Sequence, residues 1–313
     1  MSDATPPATA DNKLRAALFI TCTVGLASST DALVKLLASG YPITQLNSIR
    51  TLVSLPLTFA LVMQARAVGQ LRHERLGYLM LRGFILAMGN LCFFLAIAAM
   101  PMADAVAIYF TMPFFVAGLM APLLGERVRV HRWLAIAGGF TGVIIMTRPG
   151  AGSFEPAALL ALGSALFYGV GQAMARPLGH SVPPSVTAFW QCVMYVAVAL
   201  TLAALFGHGA FEGHGHKSLT FLTRGWIWPS AFDFSIMVLL GIVGAALMPL
   251  FVMSYRGADA SFVAPFEYTA MFWAVLWGVI GFGDVPDLQM AMGAAVVVAA
   301  GLFMLKMDAR YRA

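Results

Sequence analysis

The sequence predicts an all-α polytopic membrane protein with ten transmembrane helices arranged as two inverted five-helix repeats. Three observations carry this reading: the composition, the spacing of the apolar runs, and a self-similarity between the two halves. Of 313 residues, 60% are hydrophobic and 11% are charged, where a soluble domain has roughly 45–50% and about 25%. Apolar runs of about 17–25 residues recur along nearly the whole chain, and that length spans a hydrocarbon core of ~30 Å at 1.5 Å per helical residue. Backbone groups in lipid must be satisfied within their own segment, which selects helices. The alternating ten-residue segments of a membrane barrel do not occur in the sequence.

Met1 to Asn12 is polar and Pro-containing, without a signal-peptide cleavage pattern, so residues 1–13 are expected to form a cytoplasmic tail before a retained first span. Spans at 14–38, 41–64, 77–99, 103–124 and 131–148 make a first unit, 14–149. Spans at 156–178, 184–206, 233–255, 259–281 and 287–306 make a second, 150–306, followed by a tail at 307–313. Lys13 and Arg15 sit at the start of the first span, and Arg66, Arg72, Arg75 and Arg82 gather around the turn between the second and third. Arg127, Arg129 and Arg132 gather around the turn between the fourth and fifth, Arg176 at the end of the sixth, Arg256 after the eighth, and Lys306, Arg310 and Arg312 at the end. With the amino terminus cytoplasmic, 14 of the 19 basic residues fall inside and three outside (Arg148, Lys217 and Arg224), leaving Lys35 and Arg50 within spans. The bias puts both termini in the cytoplasm, as in a bacterial inner membrane, and the long loop at 207–232 outside with Trp226 and Trp228 as interface anchors. It also accounts for the formal net charge of +5 without nucleic acid as a partner. Cys22, Cys92 and Cys192 fall in spans with no metal-ligand spacing and read as packing residues.

The repeat appears when the chain is compared with itself. An offset of 155 aligns Gly89 with Gly244, Ala103-Asp104-Ala105 with Ala258-Asp259-Ala260, and Gly138 with Gly293. In the earlier helices an offset of 141 aligns Asp31 with Gln172, Lys35 with Arg176, Pro42 with Pro183 and Arg50 with Gln191; the difference of 14 residues is what the longer loop inserts. Five helices is an odd number, so the second unit enters the membrane inverted. The basic loop Gly125-Glu126-Arg127-Val128-Arg129 accordingly has a partner without basic residues, Gly281-Phe282-Gly283-Asp284-Val285-Pro286-Asp287. Inverted repeats rocking around a midplane site are the architecture of alternating-access carriers.

Several of these residues carry a resemblance. Asp31-Ala-Leu-Val-Lys35 followed by Tyr41-Pro42-x-x-Gln45 and Arg50, the span 103–124 ending in Leu124-Gly125-Glu126-Arg127, and Leu159-Leu160-Ala161-Leu162 with Ala165-Leu166-Phe167-Tyr168-Gly169 together resemble the drug/metabolite transporter superfamily in its ten-helix EamA type. The likeness covers about residues 14–306, and the opening pattern is most similar to the branch containing riboflavin and S-adenosylmethionine transporters. One departure is Gly283-Asp284, where such proteins often carry Gly-Glu. The resemblance implies a secondary carrier without an ATP-binding subunit, whose cavity is lined mainly by the first, third and fourth helices of each unit.

Four ionisable residues lie well within spans: Asp31, Lys35, Arg50 and Glu267. Each central Asp, Lys or Arg costs about 2.5–3.5 kcal/mol on insertion scales, so these side chains should face protein or a wet cavity. Asp31 and Lys35, one turn apart in acid-before-base order, are expected to pair; they extend a polar stripe of Thr21, Gly25 and Ser28, and Asn47, Arg50 and Ser54 form another. The structural alternative is a folding role, with Lys35 and Arg50 snorkelling. Glu267 has no basic neighbour within a turn in the sequence, and a carboxylate is costly in an apolar setting, which favours a coupling or substrate role. Asn90, Tyr109, Tyr168, Gln172, Trp190 and Gln191 are further wall candidates, against the alternative that aromatics at helical spacing pack the core. Pro113 and Pro265 are expected to kink the fourth helix of each unit, and Gly138-Gly139-Phe-Thr-Gly142 to pack closely on another helix.

The rival classes are an intramembrane enzyme and a non-transporting membrane scaffold or receptor, which would not need inverted symmetry. The sequence has no HExxH helix, no P-loop and no paired-aspartate pattern, and His208, His214 and His216 fall in the glycine-rich loop. No cofactor or metal is implied. The expected partners are the lipid bilayer and a small organic, amphoteric solute; the sequence does not fix an oligomeric state.

Overall fold

The structure, a computed structural model, describes residues 10–124, 129–148, 155–178, 182–213, 215–256 and 260–310. The extreme tails, most of the Gly125–Arg129 loop, Ala258-Asp259 and His214 lie outside the described residues. Among those described the chain is helical, with no strand. The first five predicted spans are occupied by α1 (Ala10–Leu37), α2 (Ile43–Gln64), α3 (Leu76–Ile97), the pair α4 (Met102–Tyr109) and α5 (Met112–Leu124), and α6 (Val130–Thr147). After α7 (Ala157–Ala173) and α8 (Pro184–Phe206) comes a short α9 (Lys217–Thr223). Then follow α10 (Ala231–Arg256), the pair α11 (Ala260–Glu267) and α12 (Thr269–Phe282), and α13 (Leu288–Arg310). Six of these, α1, α2, α3, α6, α8 and α13, contain stretches long and apolar enough to cross a membrane by length and composition.

Three boundaries differ from the sequence reading. α13 runs on through Arg310 instead of ending at 306, because Asp308 accepts from Arg132 Nε and Nη2 at 3.0 Å each and lies 2.8 Å from His131 Nε2, tying its last turn to the first of α6. The long loop is not bare: beyond α9 it folds back, with Trp226 Nε1 donating to Thr44 Oγ1 (2.9 Å) and Gln45 Nε2 to the Ile227 carbonyl (2.7 Å). Trp226 is therefore partly a tertiary contact, whereas Trp228, 98% exposed, is free to act as the expected anchor. Arg82, grouped by sequence with the cytoplasmic cations, is buried; its Nε donates to the Gly171 carbonyl (2.9 Å), while Tyr78 reaches the Met174 carbonyl. These donors satisfy carbonyls that α7 leaves open at its end.

The third difference is the break in both fourth helices. Each falls at an aromatic residue followed by threonine, Phe110-Thr111 and Tyr268-Thr269. Thr111 Oγ1 donates to the Ile108 carbonyl (2.7 Å), which also accepts from the Thr111 N–H (3.0 Å), and Thr269 Oγ1 donates to the Phe266 carbonyl (2.6 Å), so each hydroxyl adds a bond at its break. Pro113 stands in the first turn of α5, where a missing N–H costs nothing, and Pro265 in the last turn of α11.

Much of the helix packing comes in exchanged pairs. α2 packs on α8 and α6 on α13; α3 on α7 is matched by α10 on α1, α3 on α8 by α10 on α2, and α5 on α7 by α12 on α1. Individual contacts follow suit: a methyl at Gly83 would meet Gln191 Cα at 3.2 Å, and one at Gly241 would meet the Arg50 carbonyl at 2.6 Å. Arg50 and Gln191 thus occupy matching places, and Gly83 corresponds to Gly241, a slightly longer register than the Gly89–Gly244 match. At the α6–α13 seam a Cβ on Gly142 would stand 2.7 Å from the Gly293 carbonyl, and one on Gly293 would stand 2.6 Å from the Gly142 carbonyl. Only glycine permits that approach, as in other small-residue seams between membrane helices.

Candidate functional site

The two helix breaks meet in the middle of the bundle. Phe110 and Tyr268, the equivalent break residues, stack with ring centroids 4.7 Å apart and an interplanar angle of 23°. The residues just before them, Tyr109 and Glu267, are both half-buried. Tyr109 meets Tyr168 of α7 edge to face at 5.4 Å and Phe93 of α3 at 5.6 Å. Glu267 lies within electrostatic reach of Tyr109 and Tyr268.

Beside this aromatic group sits a polar one. Arg50 Nη2 donates to Asn90 Oδ1 at 3.0 Å, and its guanidinium carbon lies 4.8 Å from the centroid of the Phe94 ring. Asn90 Nδ2 reaches Tyr168 Oη at 3.4 Å, linking the two groups. Asp31 of α1 lies within electrostatic reach of Arg50, Tyr109 and Tyr168. Asp31, Arg50, Asn90, Tyr109 and Tyr168 are all half-buried although they sit on helices packed against several neighbours, as the wall of an internal cavity would be. Asn47, Thr51, Asn90 and Tyr195 also line a crevice between α2, α3 and α8 with room for roughly one water molecule.

The other candidates fall elsewhere. Lys35 does not pair with Asp31: its Nζ binds Asp284 Oδ2 at 3.0 Å and the Met100 carbonyl at 2.9 Å, over the Phe282 ring. The tertiary fold brings Asp284 to the end of α1, and this outweighs the local one-turn spacing. Gln172 is exposed, because α7 turns Tyr168 and Gly171 toward α3. Trp190 donates to the Leu71 carbonyl (3.1 Å) in a separate apolar cluster with Val62, Leu79 and Val186. Gln191 lies at the edge of the site, donating to Tyr195 Oη (3.2 Å), which in turn reaches the Leu86 carbonyl. Tyr195, Phe94 and Phe110 were not singled out by sequence reasoning, although Tyr195 stands one turn beyond Gln191, and Asp284 was noted only as a departure from the Gly-Glu pattern. His216 is engaged with Glu155 at 2.8 Å. Among the described residues no cluster of three or more His, Cys, Asp or Glu side chains is placed to hold a metal.

An all-helical bundle with ionisable and aromatic side chains gathered at paired helix breaks has the form of a polytopic membrane transport protein. The chain belongs to the EamA-like transporter family, whose model matches it twice, over residues 14–148 and 155–306. A riboflavin transporter of Rhizobium johnstonii is 29% identical over 229 residues, covering 73% of this chain and 70% of its own. An S-adenosylmethionine uptake transporter of Rickettsia prowazekii is 22% identical over 225 residues, covering 72% and 70%. A solved crystal structure aligns with a TM-score of 0.61 at 22% identity over 95% of this chain and 99% of its own, a likeness of fold. The protein is therefore an integral membrane protein of a small-molecule transporter family, as the sequence resemblance implied, and not an enzyme.

Proposed function

We propose that this protein is a secondary carrier that moves a planar, amphoteric heteroaromatic metabolite of the riboflavin type by alternating access. The observation that carries the reading is the meeting of the stacked Phe110–Tyr268 pair with Asp31, Arg50 and Asn90 in the middle of the bundle. Aromatic rings recognise a flat π-system through stacked and edge-on contacts. A guanidinium, a carboxylate and an amide supply opposite charges and paired donors and acceptors around it. The names of the two relatives support this choice of substrate class.

In this reading the chain crosses the bacterial inner membrane ten times as two inverted five-helix units, 14–149 and 150–306, with both termini cytoplasmic and no ATPase subunit. The exchanged packing pairs and the 14-to-3 charge bias support it. Asp31, Arg50, Asn90, Tyr109 and Tyr168 contact or frame the solute, and Glu267 couples its movement to protons.

The purified protein in liposomes without ATP should move unaltered riboflavin saturably across the membrane. Absence of flux for riboflavin and for S-adenosylmethionine, with folded protein present, would remove the proposed substrate class. Orientation is tested by single cysteines in a background lacking Cys22, Cys92 and Cys192. Lys217→Cys, exposed in α9, should react with an impermeant maleimide from outside, and Gln70→Cys, exposed between α2 and α3, only from inside. The neighbouring Ser218 is unsuitable as a reporter, because it is buried and donates to the Leu95 carbonyl. Reversed labelling would overturn the orientation.

A further inference from the structure

One end of the bundle, the outer one in the orientation proposed above, is closed by side chains that join the two halves of the chain. Lys35 at the end of α1 is held at once by Asp284 Oδ2 (3.0 Å), by the Met100 carbonyl in the turn between α3 and α4 (2.9 Å), and by the Phe282 ring, 4.8 Å to its centroid. The contact is largely withdrawn from water: the side chains of Lys35 and Asp284 are 12% and 29% exposed. A second ion pair, Arg148 with Asp287, joins the end of α6 to the start of α13. Asp104, in the first turn of α4, lies within electrostatic reach of all four groups, so they form one cluster, and α4 packs on α12 in the same structure.

We propose that the Lys35–Asp284 pair is the outer latch of the transport cycle, closed in this structure and broken when the central site faces outside. The proposal rests on the carrier reading and its orientation. A partly desolvated ion pair suits a contact that must open and reclose. On separation, hydration of both charges largely offsets the attraction that is lost, whereas an apolar seam returns roughly 25 cal/mol of penalty for every Å² exposed. The same ammonium also holds the turn between α3 and α4 through the Met100 carbonyl, so movement of Lys35 is felt by three elements together.

The test uses a reporter cysteine at Ser28, two turns deeper than Lys35 on α1, buried and, among the described residues, with no partner for its hydroxyl. In the cysteine-free background, Ser28→Cys should react slowly with an impermeant maleimide applied from outside. Adding Lys35→Ala or Asp284→Asn should speed the reaction several-fold. The exchanged pair Lys35→Asp with Asp284→Lys should return it toward the parent rate, and Lys35→Arg, which keeps the charge, should leave it slow. Single variants that fold and label at the parent rate, or an exchanged pair that labels as fast as the singles, would overturn the latch. Labelling needs no substrate: an unresponsive reporter beside normal riboflavin flux removes the latch alone, and a responsive reporter without flux removes only the substrate.

Discussion

Arg50→Gln and Asp31→Asn should each lower riboflavin flux per folded molecule by on the order of tenfold or more, corresponding to about 1.4 kcal/mol for each factor of ten. Arg50 is the polar hub of the site: it holds Asn90, which reaches Tyr168, and it lies over Phe94. Its glutamine replacement keeps hydrogen-bonding groups but removes the charge and most of the reach. Asp31 supplies the opposing charge from α1. Removing one of two opposed charges that lie within electrostatic reach leaves the other less compensated, so both single variants should also melt earlier. The double variant separates the two roles. Neutralising both charges should recover much of the lost melting temperature, yet flux should stay low if the pair serves the solute. Flux measured in proteoliposomes, normalised to monodisperse protein, reads this directly. Recovery of both quantities in the double variant would mean that the pair serves folding alone.

The positions of the long apolar helices were largely legible because run length and composition are coarse properties, fixed by bilayer thickness and by the cost of an unpaired backbone group in lipid. Arg50 was legible for a similar reason, as a charge in an apolar run demands an explanation. Its pairing with Asn90 was not, since Asn90, itself a wall candidate, lies 40 residues away. Lys35 shows how a local rule misleads. The one-turn spacing favours Asp31, a contribution of a few tenths of a kcal/mol in an isolated helix, but an aspartate 249 residues distant approaches in the folded chain. The repeat alignment brought Arg50 and Gln191 together correctly in space, yet it paired Asp31 with an exposed Gln172, because equivalence of position does not make two helix faces alike. The helix breaks were anticipated from Pro113 and Pro265 but fall at Phe110 and Tyr268, where a threonine hydroxyl adds a bond to a carbonyl. That is a tertiary and side-chain property which proline counting does not reveal.

Glu267→Gln is expected to abolish gradient-driven accumulation of riboflavin while leaving exchange across the membrane partly intact. Glu267 ends α11 at the break, next to the Tyr268 ring that stacks on Phe110, and it occupies the place in the second half that Tyr109 occupies in the first. A change at this residue is therefore felt at the seam between the two halves. A carboxyl group, unlike an amide, can carry a proton between the two states of a carrier. Intramembrane acids so placed link solute movement to a proton gradient. Glutamine keeps the shape and a hydrogen-bonding capacity but cannot change charge, so it should uncouple the carrier without closing the path. The measurement is paired: accumulation driven by an imposed pH difference, and exchange of labelled for unlabelled riboflavin at equal pH. Accumulation equal to the unmodified protein across several pH differences would remove Glu267 from coupling, and loss of exchange as well as accumulation would make it a binding group instead.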